Sequence, residues 1–225
     1  MPIYQEALTD ATRELLWLLS DLPFISEFYL AGGTGLALQI GHRFSVDLDF
    51  FSDDPVAVGE DQRRSILKLL KEEPSLKITW DKDSTFVASW RNVGVSFFRL
   101  DLHPLICPPI IFDKIRVAAI EEIGAMKLAA ILSRGTRKDY TDLYFILQQT
   151  NLIDLFEIAA KKYPFNEAFP VFVVRALSYF EDAESDPMPR MIKEVTWDTV
   201  KTYLEQQAMD IGRKQLALEK LWVEI

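Results

Sequence analysis

The chain has 225 residues, 49% of them hydrophobic and 26% charged, enough to bury a core in one large domain or two small ones. No apolar run approaches the roughly 18 residues of a membrane span, and the stretch from Met1 to Asp10 lacks the basic and apolar regions of a secretory signal. A net charge of −9 argues against a broad nucleic-acid-binding surface, and Cys107 as the only cysteine excludes an internal disulfide and a thiolate zinc site, so a reducing, cytoplasmic setting without membrane contact is expected.

In chain order, Glu6 to Leu22 has the spacing of an amphipathic helix, with Leu8, Leu15, Leu16 and Leu19 near one face. Glu27 to Ala31 is a short strand, broken by Gly32 and Gly33, after which Thr34 caps a helix running to about Ile40. Ser45 to Phe51 alternates as a strand, with Val46, Leu48 and Phe50 on one side and Asp47 and Asp49 on the other. Gly59 to Lys71 is helical. Leu76 to Asp81, Thr85 to Trp90 and Val93 to Leu102 form an antiparallel meander with turns around Asp83 and Asn92 to Gly94.

Pro104, Pro108 and Pro109 disfavour regular structure and place a boundary within 104–116, dividing a mixed domain, 1–110, from a helical one, 111–225. The helices expected there are Ile120 to Ser133, Lys138 to Gln149, Ile153 to Lys162, Ala168 to Tyr179 and Trp197 to Leu221, with a polar loop over Asp182 to Pro189. The fold class is therefore α/β (α+β): a mixed sheet flanked by helices, then a mostly helical C-terminal region.

Two features carry chemistry. In an extended segment Asp47 and Asp49 share a face, roughly 7 Å apart at the backbone, and two like charges so placed repel unless neutralised. Magnesium or manganese would do this, completing its shell with substrate phosphates; a solvent-facing acidic strand is the plain alternative. Asp101, on the same face of its strand as Arg99 and His103, would add a third carboxylate if that strand neighbours the first. The turn at Gly32, Gly33 and Thr34 exposes backbone amides at a helix N-terminus, which attracts phosphate; a tight turn with Thr34 as an ordinary cap is the alternative. The Gly-X-Gly-X-X-Gly and Gly-Lys-Ser/Thr signatures are both absent. Arg43 either neutralises a phosphate, pairs with Asp47 or caps the preceding helix, and His42 is open between structure and function.

The run Leu30-Ala-Gly-Gly-Thr-Gly-Leu-Ala-Leu-Gln-Ile-Gly-His-Arg-Phe-Ser-Val-Asp-Leu-Asp-Phe-Phe, with Met126 to Ile131 and Arg134 to Tyr144, resembles the AbiEii/AbiGii-type nucleotidyltransferase toxins of the DNA polymerase beta-like superfamily. The resemblance covers the first half and the start of the second. It implies transfer of a nucleoside monophosphate from a nucleoside triphosphate to an acceptor hydroxyl, with tRNA or another RNA as acceptor and a cognate antitoxin as partner. It assigns Gly33 and Thr34 to phosphate, Asp47 and Asp49 to metal, Lys127 to the triphosphate and Asp139 to the last acidic motif, with Asp101 as the superfamily's third carboxylate. Gly35 departs from it, since a larger small residue such as Ala is common there.

Lys127 and Arg134 fall seven apart, on one helix face. Lys138 and Asp142 are four apart and read equally as a surface ion pair. Tyr140 and Tyr144 are core packing or a stacking platform. Arg134, Arg137 and Lys138 form a patch open to an acceptor or to solvent alone. The rival functions are a small-molecule or protein nucleotidyltransferase or phosphotransferase, and a non-catalytic nucleotide-binding module.

Overall fold

Thr9 decides where the first helix begins. Its hydroxyl accepts the Thr12 amide at 3.1 Å, so α1 spans Asp10–Ser20 rather than starting at Glu6. The preceding residues form a 3₁₀ turn, Gln5–Ala7, and Leu8 bridges to Ser45. In the computed structural model, which describes residues 3–164 and 168–223 (side chains of 214–223 excepted), the chain divides into two compact units, residues 1–123 and 124–225.

The first unit is a seven-stranded mixed sheet. Its strands are β1 (Tyr29–Leu30), β2 (Leu48–Ser52), β3 (Lys77–Lys82), β4 (Thr85–Trp90), β5 (Val93–Arg99), β6 (Ile110–Phe112) and β7 (Ile115–Val117). Their order is β3-β4-β5-β2-β1-β7-β6. The pairs β2–β5 and β1–β7 are parallel and the others antiparallel. The expected meander is present. Its second turn is the two-residue Arg91-Asn92, both at positive φ, as the twist of a tight hairpin demands; Gly94 lies inside β5 rather than in the turn.

The prolines at 104, 108 and 109 precede the β6–β7 hairpin instead of ending the unit. Compactness therefore places the division after Ile123, because β7 pairs with β1 and takes the chain back into the sheet. Helices α2 (Gly32–Ile40) and α3 (Glu60–Leu70) complete the unit. One sheet face packs on α1 and α3: Phe86, Val95, Phe97, Leu48 and Phe50 meet Leu15, Leu16, Leu19, Ile66 and Leu70 in one core. The Phe97 ring stacks on Phe50 with centroids 4.9 Å apart and meets Phe28 edge-on at 5.1 Å.

Helix α4 (Ile120–Ser133) opens the helical region, followed by α5 (Arg137–Ile146), α6 (Leu152–Lys162), α7 (Phe169–Ala176), α8 (Glu181–Glu184) and α9 (Trp197–Val223). The short helix α8 lies where a loop was expected. Within the second unit, the Tyr140 hydroxyl donates to the carbonyls of Ala176 and Tyr179, and its ring packs on Phe180 and Trp197, so it is a core residue. Among the described residues no helix is long and apolar enough to cross a membrane.

Phe97 is fully buried between two rings, so Phe97→Ala should cost about 3–5 kcal/mol. Urea denaturation would register this as a lower midpoint at little changed slope.

Candidate active site

The Gly-Gly-Thr turn is shaped by what lies against it. Gly32 adopts φ +62°, and a Cβ there would stand 2.8 Å from Asp49 Oδ2. A Cβ on Gly33 would collide with the Arg43 guanidinium and approach Ser45 Oγ to 3.2 Å. Both glycines thus leave room for polar side chains arriving from the next segment. Helix α2 begins at Gly32, three residues earlier than expected, and no side chain caps it. The amides of Gly32, Gly33 and Thr34 belong to the first turn, whose N–H groups have no partners within the helix.

Thr34 is buried and does not cap the helix. Its hydroxyl donates to the Asp47 carbonyl oxygen and lies 2.8 Å from Ser45 Oγ. It therefore holds the peptide bearing Asp47, a task different from the phosphate contact expected of it. The Asp47 carboxylate is fixed from the other side, where Oδ1 accepts the Gly94 amide at 3.1 Å. Gly94 permits this because a Cβ there would sit 2.7 Å from the same oxygen. Asp47 is exposed and Asp49 half-buried, and they flank the buried Leu48, so the two carboxylates share the sheet face opposite the core.

Asp101 does not join them. Parallel pairing aligns Asp49 with Ser96 and Ser52 with Arg99, so β5 ends before Asp101, which occupies an exposed turn at the far end of β2. Five residues of strand beyond Ser96 correspond to roughly 16 Å. The residues beside the pair on β5 are Gly94 and Ser96. Among the described residues no group of three or more His, Cys, Asp or Glu side chains is placed to share a metal ion.

Arg43 is almost fully buried, its guanidinium packed on Gly33 and its Nη1 donating to the Phe44 carbonyl at 3.0 Å. Its place is against the turn rather than at the helix C-terminus, where Gly41 at φ +57° makes the cap. His42 is buried. Gly35 fits a close approach of α2 to β1, since a Cβ would lie 3.0 Å from the Leu30 carbonyl oxygen.

In the second unit, Lys127 reaches Asp139 at 2.9 Å and Asp142 at 2.6 Å. Arg134 bonds both Asp139 oxygens, at 3.0 and 3.2 Å, and the Thr136 hydroxyl donates to Asp139 at 2.6 Å. Burial would raise the Asp139 carboxyl, but the Lys127 charge and the hydrogen bonds from Arg134 and Thr136 outweigh it and hold it at about 2. The expected convergence of Lys127 and Arg134 is present, with Asp139 at its centre. The surface pair Lys138–Asp142 is not formed: Lys138 is exposed while Asp142 is fully buried on Lys127. Arg137 lies over the Trp197 ring at 4.8 Å and bonds the Ala183 and Glu184 carbonyls, so it belongs to the packing of its unit rather than to an acceptor patch.

The arrangement of the first unit, bare amides at a helix start beside two same-face carboxylates on an adjoining strand, suits phosphate and cation chemistry, and known structures share the fold. The chain superposes on JHP933 from Helicobacter pylori with a TM-score of 0.53 at 19% identity, over 96% of this chain and 99% of that one. It superposes on MenT4, the nucleotidyltransferase toxin Rv2826c of Mycobacterium tuberculosis H37Rv, with a TM-score of 0.56 at 15% identity, over 89% and 84% of the two chains. The uncharacterised protein aq_aa25 of Aquifex aeolicus (strain VF5) is 32% identical over 205 residues, 86% of this chain and 96% of its own. The fold is that of the nucleotidyltransferases. The model of the nucleotidyl transferase AbiEii toxin family, type IV toxin–antitoxin system, matches residues 14–214, and the chain belongs to that family. It is thus a nucleotidyltransferase of a toxin family, which implies a nucleoside triphosphate substrate and a cognate antitoxin.

Sequence reasoning missed Gly94, Ser45 and Thr136. A glycine inside a strand signals close approach of another group, and that signal was present at Gly94 but absorbed into the neighbouring turn.

Two outcomes follow from this geometry. Gly94→Ala should displace the Asp47 carboxylate and lower the rate of nucleotidyl transfer by about 10²-fold, with a thermal midpoint close to wild type. Because the Asp139 carboxyl is depressed in the folded state, its contribution of about 2 kcal/mol is present above pH ~4 and lost as pH falls toward 2. Urea midpoints measured across that interval should fall less steeply in Asp139→Asn.

Proposed function

We propose that the carboxylates of Asp47 and Asp49 hold a divalent cation, magnesium or manganese, and that the protein transfers a nucleoside monophosphate to a hydroxyl of an RNA acceptor. The observation that carries this reading is the seat of the pair: Asp47 fixed by Thr34 and Gly94, Asp49 laid against Gly32, beside the uncapped amides of α2. Two carboxylates on one strand face fit the donor set of magnesium, which binds through one or two carboxylates and substrate phosphates. The cation supplies positive charge to the phosphates and lowers the pKa of a bound hydroxyl.

The chain's own groups account for the remainder. The amides of Gly32, Gly33 and Thr34 donate hydrogen bonds to a phosphate oxygen, with Arg43 behind them adding positive charge. The acceptor oxygen forms a bond to the α-phosphorus while the bond from that phosphorus to the bridging oxygen of the β-phosphate breaks. Pyrophosphate leaves with the electron pair, and the acceptor proton passes to a base or water. Lys127 and Arg134 are assigned to the triphosphate on the strength of the family motif, and Lys138, exposed on α5, to the acceptor. A carboxyl held at about 2 by Lys127 and Arg134 is a poor proton acceptor at neutral pH, which supports Asp139 as the group that positions those cations. The cytoplasm is the proposed setting.

Asp47→Asn with Asp49→Asn should lower incorporation of label from the α-phosphate by on the order of 10³-fold or more, with the fold retained. Undiminished incorporation, or transfer of γ-label in its place, sinks the mechanism.

A further inference from the structure

The sheet face that carries the carboxylates continues beyond them to the free edge at β3. Strand register places Asp49 beside Ser96, Ser96 beside Val87, and Val87 beside Trp80. Lys77 ends the neighbouring row, through Ser89 and Gly94, whose amide binds Asp47. Lys82 ends the row that starts at Phe51. Three strand spacings separate Asp49 from Trp80, roughly 14 Å. The floor between them is small or short-chained and half-exposed, while Trp80 is 47% exposed and both lysines are exposed.

A bulge puts Trp80 there. In a regular strand Ile78 and Trp80 would share a face. Here Ile78 pairs with Ala88, which is buried in the core, whereas Trp80 pairs with Val87 on the open side, with the register shift between them. The bulge therefore turns Trp80 and Lys82 to the carboxylate side. The local charge is also favourable. Asp81 and Asp83 are paired with Arg63 and Arg99 at 2.7 Å each, while among the described residues Lys77 and Lys82 make no ion pair. The Lys82 ammonium stands 4.5 Å from the Trp80 ring centroid, so aromatic face and cation form one unit.

We propose that this edge is a subsite for the acceptor: a single-stranded polyribonucleotide whose terminal hydroxyl lies at the carboxylates while an upstream base stacks on Trp80 and its phosphates meet Lys77 and Lys82. An aromatic platform flanked by cations is how proteins hold unpaired strands without reading sequence. Two lysines on a chain of net charge −9 suit a short strand better than a duplex, which calls for a wide basic surface. The inference rests on the nucleotidyl-transfer reading and adds where the acceptor lies.

The test uses the full chain and a short single-stranded RNA, fluorescein-labelled at its 5′ end and free at its 3′ hydroxyl. Trp80→Ala should weaken binding in anisotropy titrations by about tenfold. Lys77→Ala with Lys82→Ala should lower the salt dependence of binding by roughly 1.4 in log–log slope. Both should leave triphosphate affinity by calorimetry and the thermal midpoint as in wild type. Wild-type RNA affinity in both variants overturns the subsite and leaves a bulge that merely blunts a sheet edge; so does absence of RNA binding by the wild type, equal competition by duplex RNA, or label passing to protein in a way these variants do not alter. RNA binding that depends on Trp80 without incorporation of nucleotide keeps the subsite and overturns the transfer reading.

Discussion

The site depends on the absence of side chains at three positions. Gly32, Gly33 and Gly94 each stand where a Cβ would meet a polar group: Asp49, Arg43 and Asp47 respectively. Two neighbouring carboxylates repel, and elsewhere they would splay into solvent. Here Asp47 is held through its carbonyl by Thr34 and through its carboxylate by Gly94, and Asp49 grows from the central strand β2. The backbone of three elements sets their separation, so the carboxylates are arranged before any ligand arrives. The chain's place among the AbiEii nucleotidyltransferase toxins gives that arrangement its chemical context.

The second unit solves a different electrostatic problem. Lys127, Asp139 and Asp142 are nearly excluded from water, and burying charge costs several kcal/mol per ion unless the partners are close and the remaining bonds are made. Two carboxylates surround one ammonium, and the mostly exposed Arg134 adds the balancing positive charge. Removing any buried member leaves its partners uncompensated, which is more damaging than never having had the cluster. Such a cluster fixes the direction of Lys127, which suits a role in positioning as well as in fold stability.

Much of this was legible in the residues, for identifiable reasons. Alternation in Thr85 to Trp90 and Val93 to Arg99, and helical spacing in Ile120 to Ser133, express local geometry, and local geometry is what sequence spacing encodes. Asp47 and Asp49 were visible as a same-face pair for the same reason. What spacing does not encode is strand direction. Asp101 fails as a third carboxylate because β5 runs parallel to β2 and carries it away from the pair. The role of Thr34 was misplaced because a hydroxyl near a helix start reads as a cap, while its real partner is thirteen residues later. The hairpin at 110–117 was hidden by the prolines before it, and Asp142 by a lysine four residues away that faces outward.

The order of the strands in space has a consequence for synthesis. Strand β2 pairs with β5 and β1 pairs with β7, so Leu48 waits for Val95 and Leu30 for Val117. Pairings this far apart in sequence form late, after the intervening chain has been ordered. On a ribosome, Gly94, whose amide fixes the Asp47 carboxylate, emerges well after Asp47 itself. A nascent chain that ends before β5 contains both carboxylates and the glycine turn but lacks the amide that fixes the first of them. On the proposed reading, nucleotidyl transfer is thereby tied to completion of the sheet, and fragments released early carry the motif without its geometry.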